Sequence, residues 1–393
     1  MIWTWLLTAL KIAYISYPVW LPVLLGLVFL TSWLRYKRLE YVVNTKKVLL
    51  EFKLPKEILK SPAAMEVFMS ALHIPVTGSW TDVYLSGRVK PTFSLELVSI
   101  SGEVHFYIWT WEKFRATIEN FLYAQYPEVE VYPVADYTEG YRYEPDTFLY
   151  YGAQFKLTKP DPYPIKTYID YGLDKDPKEE FKIDPITPAL EFLGSLRQGE
   201  YAWVQILIQP HSEEGLKQGA LSFKADWKEE AAKEIETIVG EGKFSDLSET
   251  KKQTINAIER SIGKFAFNTK IRGLYFATKD QFRSENIGGL NGMVKQFSSN
   301  TLNGFKQDWQ TSFNYIWQDP FGRKSRERQE RLLDASRQRG AFQYPFSDIG
   351  SKPFILTTEE LATLFHFPGA VAATPTLTRI PSKKSEAPSN LPI

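Results

Sequence analysis

The sequence contains no cysteine. That excludes disulfides, thiolate metal sites and cysteine nucleophiles, and leaves the compartment open. Histidine is scarce: His73, His105, His211 and His366 are the four. No two of them stand at i,i+3 or i,i+4 spacing and H-E-x-x-H is absent, so a histidine metal centre has no local nucleus. A phosphate-cradling G-x-x-x-x-G-K-[ST] loop is missing too. "GEGKF" (240–244) and "FGRKS" (321–325) have fragments of that composition without its spacing, and read as turns. G-x-S-x-G is absent. Glu128 and Glu130 share one face of a predicted strand, best read as an exposed strand face. Excess charge is lacking as well: 47 Lys and Arg against 46 Asp and Glu leave a net +1, which argues against a general polyanion binder and leaves local patches open. These absences point to a chain with no catalytic residues, cofactor site or metal site.

What the chain has in quantity is apolar surface. Hydrophobic residues make up 44 % of its 393 residues, enough for a sizeable core. "YPVWLPVLLGLVFLTSWL" (17–34) carries no charge over 18 residues, about the minimum that crosses a bilayer core. Trp20 and Trp33 suit the two interfaces. The preceding "MIWTWLLTALKIAYIS" holds Lys11 and reads as an extension of the span, an interfacial segment or one arm of a hairpin. A cleavable signal would put basic residues first. Here "RYKR" (35–38), Lys46 and Lys47 follow the apolar run, which predicts a retained single-pass anchor (1–38) in the cell membrane with the bulk of the protein cytoplasmic.

Beyond the anchor the pattern is α+β. Residues 46–136 read as strand (46–55), helix (61–73), hairpin (91–110), helix (111–127) and strand (128–134). Ser61 and Pro62 suit a helix start. Met65, Phe68, Met69 and Leu72 form one apolar stripe, as do Phe114, Ile118, Phe121 and Leu122. β-α-β-β-α-β is the ferredoxin-like order. Residues 145–320 approximate it again: strand (147–158), helix (185–196) with Asp184 at its cap, strand (200–210), strand (265–278) and a glycine-broken helix (280–297). A charged helical pair near 225–263 interrupts this second module, with Glu230 and Glu234 beside Lys228 and Lys233. It reads as a solvated pair or a docking arm.

C-terminal helices are expected over 321–369. The first, "FGRKSRERQERLLDASRQRG" (321–340), carries Arg323, Lys324, Arg326, Arg328, Arg331, Arg337 and Arg339 around a seam of Leu332, Leu333 and Ala335. Three readings stay open: a solvated face with Glu–Arg pairs, contact with a protein or anionic lipid, and phosphate contacts to nucleic acid. The second, "ILTTEELATLFHFPG" (355–369), has Thr357 and Glu360 placed for a capping box, Leu356 and Leu361 for a staple, and Pro368–Gly369 to stop it. Leu361, Leu364 and Phe365 give its apolar face. The Pro-rich tail (370–393) reads as an extended linker.

That helix and "TPTLTRIPSKKSEAPSNLP" resemble the segment joining a membrane-associated region to the motor core in certain HerA/FtsK-like ATPases, relatives of conjugation and type IV secretion motors. "VLLEFKLPKEILKSPAAMEVFMSALH", "TFSLELVSISGEVHFYIWT" and "FLYAQYPEVEVYPVADY" resemble the same poorly characterised family, a domain of unknown function. The resemblance implies a scaffold for a separately encoded ATPase, because the chain stops where the motor core would begin. It implies partner contact through Leu361, Leu364, Phe365, Phe367, Pro368, Arg379, Lys383 and Lys384, and a homo-oligomer beside a ring-shaped motor. A membrane-tethered nucleic-acid binder acting through 321–340 is the alternative.

Overall fold

The structure, a computed structural model, describes residues 2–55, 58, 60–75, 78–174, 183–212, 226–240, 244–369 and 379–380. Its elements, in chain order, are α1 (Ile2–Ile15), α2 (Tyr17–Asn44), β1 (Lys47–Pro55), α3 (Pro62–Ala71), α4 (Trp80–Tyr84), β2 (Phe93–Ile100), β3 (Glu103–Trp111), α5 (Arg115–Gln125), β4 (Glu130–Val134) and β5 (Phe148–Leu157). There follow α6 (Thr187–Gly194), β6 (Glu200–Pro210), α7 (Trp227–Val239), α8 (Glu249–Ile262), β7 (Ala266–Thr278), α9 (Glu285–Gly292), β8 (Phe305–Gln310), α10 (Arg323–Gln338), β9 (Phe354–Thr357), α11 (Thr358–Leu364) and β10 (Arg379–Ile380). Two compact units divide the chain, one from residues 1–45, 77–89 and 214–223, the other from 46–76, 90–213 and 224–393.

In the first unit, α2 opens with Pro18 in its first turn, where a missing N–H costs nothing. It continues past the expected boundary at residue 38 to Asn44, because 35–44 holds no glycine or proline to stop it. Its uncharged 18 residues reach about 27 Å at 1.5 Å each, and their surface is almost wholly exposed. Among the described residues it is the one helix long and apolar enough to cross a membrane.

The second unit is built on a large, almost wholly antiparallel sheet, with path β10-β1-β3-β2-β6-β7-β5-β8; β4 also pairs β1 and β9 also pairs β7. β10 is the parallel exception. The β2–β3 hairpin turns through Ser101 and Gly102, both at positive φ (55° and 90°), as a two-residue turn matched to strand twist requires. β2 and β6 pair antiparallel, with Glu96 opposite Gln205, so the strands of 46–136 and those of 145–320 share this one sheet.

Alternation along the strands gives the sheet two apolar faces. Leu50, Phe52, Leu95, Leu97 and Phe106 belong to the larger core, with α3, α5, α6, α9 and α11. Met65, Phe68, Met69 and Leu72 are all buried there, as the stripe on α3 predicted, and Ser61 caps that helix by accepting from the Ala63 N–H. On α5, Ile118 and Leu122 are buried while Phe121 lies off the stripe and is exposed. Leu49, Val98, Trp203, Leu274 and Phe276 form the second core with Leu332, Leu333 and Ala335 of α10. Gly152 in β5 makes that approach possible, since a Cβ there would collide with the Leu332 side chain.

Several local expectations shift by a turn. The N-cap of α6 is Ile186; Asp184 instead accepts from the Ile186 N–H (3.0 Å) and pairs with His366 Nε2 (2.9 Å). The glycine-rich stretch gives α9 and then a 3-10 turn at Lys295–Phe297. α7 and α8 form the helical pair between β6 and β7, and Trp227 packs with Ala266 and Ile355.

Candidate functional site

The basic helix is the feature with most unassigned charge, and its ends explain its placement. Asp319 accepts from the backbone N–H groups of Lys324 (3.1 Å) and Ser325 (2.7 Å), a negative charge at a helix N-terminus. At the other end, Arg272 of β7 donates to the carbonyls of Ala335 and Gly340 (2.9 Å each), and Gln205 of β6 to that of Ser336 (3.1 Å). The last carbonyls of α10 are thus met by groups rooted in the sheet.

Those two residues belong to a polar row across the sheet. Glu51, Tyr107, Glu96, Gln205, Arg272 and Gln154 are successive cross-strand partners on β1, β3, β2, β6, β7 and β5. Arg339, just past α10, is fully buried over its centre. Its guanidinium forks onto Glu96 (Nε to Oε1 2.9 Å, Nη2 to Oε2 3.1 Å) and donates to Asp136, Thr138 and the Arg337 carbonyl. Ser94, Tyr137 and Gln205 give Glu96 three further donors. Burial works against the Arg339 charge, yet Glu96 and its neighbours hold its pKa above the ordinary arginine value. Burial pushes Arg272 down to about 9, still protonated near neutrality. The Tyr137 hydroxyl is raised by burial and then by Glu96. Two cations and two carboxylates are thereby closed upon one another and upon neutral partners. This is a structural network: its charged groups are occupied.

The outer face of α10 differs. Arg323, Lys324, Arg326 and Arg331 are exposed. Lys324 Nζ reaches the Gln318 carbonyl, Arg326 the Gly322 and Phe321 carbonyls, and Arg331 pairs with Asp348 at 2.6 Å. Arg328 lies over the Phe313 ring at 4.1 Å and donates to the Gln310 carbonyl, and Arg337 faces Asp334. A groove of about 460 Å³ runs along this face, lined by Trp309, Phe313, Lys324, Glu327, Arg328, Arg331, Asp348 and Ile349. Beside it the segment before α10 bares Ile316 (85 % exposed), Trp317 (74 %) and Phe321 (76 %), with Tyr315 stacked on Trp317 at 4.5 Å. Of the seven basic residues singled out in the sequence, Arg339 therefore belongs to the interior, and the other six surround the outer face.

The C-terminal residues expected to meet a partner are placed otherwise. Thr357 ends β9 and precedes α11: its N–H and hydroxyl both donate to Glu360 Oε2 at 2.8 Å, which joins the two residues whose spacing predicted a capping box. The other Glu360 oxygen accepts from the Ile165 N–H, and burial pushes this carboxyl up to about 7. The helix, however, has no free face. Every residue from Thr358 to Leu364 is buried, and so are Phe365, Phe367 and Pro368. Phe367 packs edge-on against Phe52, Phe106 and Tyr126. Leu361, Leu364, Phe365 and Phe367 thus fill this chain's own core, which corrects the expectation of an exposed contact there. Arg379 and Ile380 pair opposite Leu54 and Pro55 of β1, while Lys383 and Lys384 lie outside the described residues, as does the remainder of the expected tail.

The sequence reading missed Glu96, Gln205 and Arg272. Their signal was a charged or amide side chain set between apolar or small neighbours in mid-strand: Glu96 between Leu95 and Leu97, Gln205 between Val204 and Ile206, and Arg272 between Ile271 and Gly273.

The arrangement defines a mixed helix-and-strand protein with one N-terminal helix fit to cross a membrane and a large antiparallel sheet sealed by a basic helix. The chain belongs to the family described as "Domain of unknown function (DUF8128)", whose model matches residues 36–379. A comparison with curated proteins gave no match.

Proposed function

We propose that the protein is a non-catalytic scaffold, anchored in the cell membrane by residues 17–34, that holds a HerA/FtsK-like ATPase at the cytoplasmic face of a type IV secretion-like or DNA-transfer apparatus. The observation that carries the anchor is the bare apolar surface of α2, followed by Arg35, Lys37 and Arg38. The ATPase rests on the resemblance of the 357–369 segment and its Pro-rich continuation. With the apolar side of α11 committed to the core, the groove and aromatic residues beside α10 are the surface this reading assigns to a protein partner. The sheet is read as two ferredoxin-like units joined edge to edge through β2 and β6. The orders β4-β1-β3-β2 and β8-β5-β7-β6 support this, each being the same permutation of its own four strands.

The test is membrane extraction with topology labelling. The full chain should stay with the bilayer in alkaline carbonate, and a cysteine placed at exposed Lys306 should be labelled only after the cytoplasmic side is opened. Release by carbonate, or labelling from outside, would overturn the anchor or its orientation.

One observation favours a second reading. Exposed Arg323, Lys324, Arg326 and Arg331 follow the open Tyr315, Trp317 and Phe321 rings in the chain, with Arg323 5.9 Å from the Phe321 ring; cations and open rings are the combination that tracks and stacks single-stranded nucleic acid. It predicts binding whose affinity falls steeply with salt and is lost on replacing those four cations by alanine. No binding at low salt removes it.

A further inference from the structure

Residues 78–89 belong to the same compact unit as α2 and place a second apolar surface beside it. Ser79 and Asp82 close a capping box around α4: the Ser79 N–H donates to Asp82 Oδ2 at 2.8 Å, and the Asp82 N–H to Ser79 Oγ at 3.3 Å. Two contacts fix this segment to α2. The Trp33 indole N–H donates to the Tyr84 carbonyl at 2.8 Å. Gly87, at φ +68°, lies so close to the backbone of Lys37 that a Cβ would overlap the Lys37 carbonyl. Only glycine fits there, by conformation and by space.

Two large apolar side chains of this segment are bare among small polar ones, Ser79, Thr81 and Ser86. Trp80 is 60 % exposed and stacks on Tyr84 at 5.1 Å; Leu85 is 55 % exposed; Val83 is buried beneath them. What covers such a surface follows from its level on α2. Trp33 is the last residue but one of the uncharged run 17–34, and exposed Arg35 comes next. This is where hydrocarbon gives way to headgroups if α2 spans. An indole and a leucine held at that depth suit the interfacial layer, with a cation placed for anionic headgroups.

We propose that residues 79–86 form an interfacial foot: Trp80 and Leu85 enter the headgroup–acyl boundary of the bilayer that α2 crosses. The inference rests on the reading of α2 as a membrane span. A lone helix can rotate about its axis and tilt freely; a foot bonded to one side of it fixes which side faces the membrane plane and limits the tilt.

The absence of cysteine allows a direct test on the full chain in nanodiscs containing anionic lipid. Nitroxide labels are placed singly at Ser86→Cys for the foot, Val28→Cys for the span and Lys306→Cys for the sheet, and depth is read from collision with oxygen against a water-soluble nickel chelate. The label at 28 is expected in hydrocarbon, the label at 86 in the interfacial layer and the label at 306 in water. A fully aqueous label at 86 with a lipid-immersed label at 28 overturns the foot and leaves the anchor standing. An aqueous label at 28 overturns the anchor and the foot with it. In the Ser86→Cys background, Trp33→Phe keeps an aromatic side chain, though a smaller one, and removes the indole N–H, and Gly87→Ala forces the backbones apart. Each should shift the label at 86 toward water without moving the depth reported at 28. An unmoved label at 86 in both variants would overturn the attachment to α2.

Discussion

Replacing Arg339 by alanine removes five hydrogen bonds from a position fully closed to solvent: two to Glu96 and one each to Asp136, Thr138 and the Arg337 carbonyl. The side chain at each end of the Arg339–Glu96 pair is 0 % exposed, so water does not replace what is lost. Removing one partner of a buried pair typically costs about 3–5 kcal/mol, because the other charge stays behind. Glu96 keeps donors from Ser94, Tyr137 and Gln205, which places the expected loss near the lower end. That is still a large share of the roughly 5–15 kcal/mol that holds a domain folded. A companion variant separates network from backbone. Arg339 caps α10 at φ +49°, a left-handed conformation costing a non-glycine residue about 1–2 kcal/mol. Arg339→Gly loses the same network but sheds that strain, so it should be more stable than Arg339→Ala by about that amount. Urea unfolding of the full chain in detergent, followed by near-ultraviolet circular dichroism, reads this directly: Trp109 lies 5.8 Å from the guanidinium and Trp203 stacks edge-on with Tyr137. A loss below about 1 kcal/mol, the scale of an exposed pair, would refute the reasoning.

Gly152→Ala should destabilise by about 1–3 kcal/mol, since the new methyl meets Leu332; adding Leu332→Ala should then cost less than it does in the parent chain. A purely additive double variant, measured by the same unfolding, would contradict that contact. Glu360 sets a pH dependence. Its folded pKa lies near 7 against an ordinary value of 4.5, so its contribution is fully present below the ordinary value and is lost as pH rises toward and through 7. Thermal melts between pH 4.5 and 8 should show a downward slope in the parent that is reduced in Glu360→Gln; identical slopes would show that the carboxylate ionises without penalty.

Much of this fold can be read from local pattern. The pairing of Thr357 with Glu360, the stripe on α3, the Ser101–Gly102 turn and the uncharged run in α2 all depend on residues within a few positions of one another, and all of them stand in the structure. What escaped depends on register. Glu96, Gln205 and Arg272 become neighbours only once β2, β6 and β7 pair in one alignment, and Arg339 joins them from 243 positions beyond Glu96. The apolar face of α11 likewise tells nothing of its other side. Glu359 and Glu360 look like the solvated side of a helix, yet both are buried, bonded to Thr167 and to Thr357 and Ile165. Periodicity marks a helix's apolar face; it does not reveal a polar side that is also covered. For the basic helix, composition alone could not separate Arg339, paired inside, from Arg323, Lys324, Arg326 and Arg331 outside.

The central claim, a membrane-held scaffold for a motor, is tested most directly by purifying the tagged chain from detergent-solubilised native membranes and identifying what accompanies it by mass spectrometry. The account predicts a P-loop ATPase of the HerA/FtsK type in stoichiometric amount, reduced when the residues around the α10 groove are changed. A clean preparation with no ATPase, reproduced across mild detergents, would contradict it.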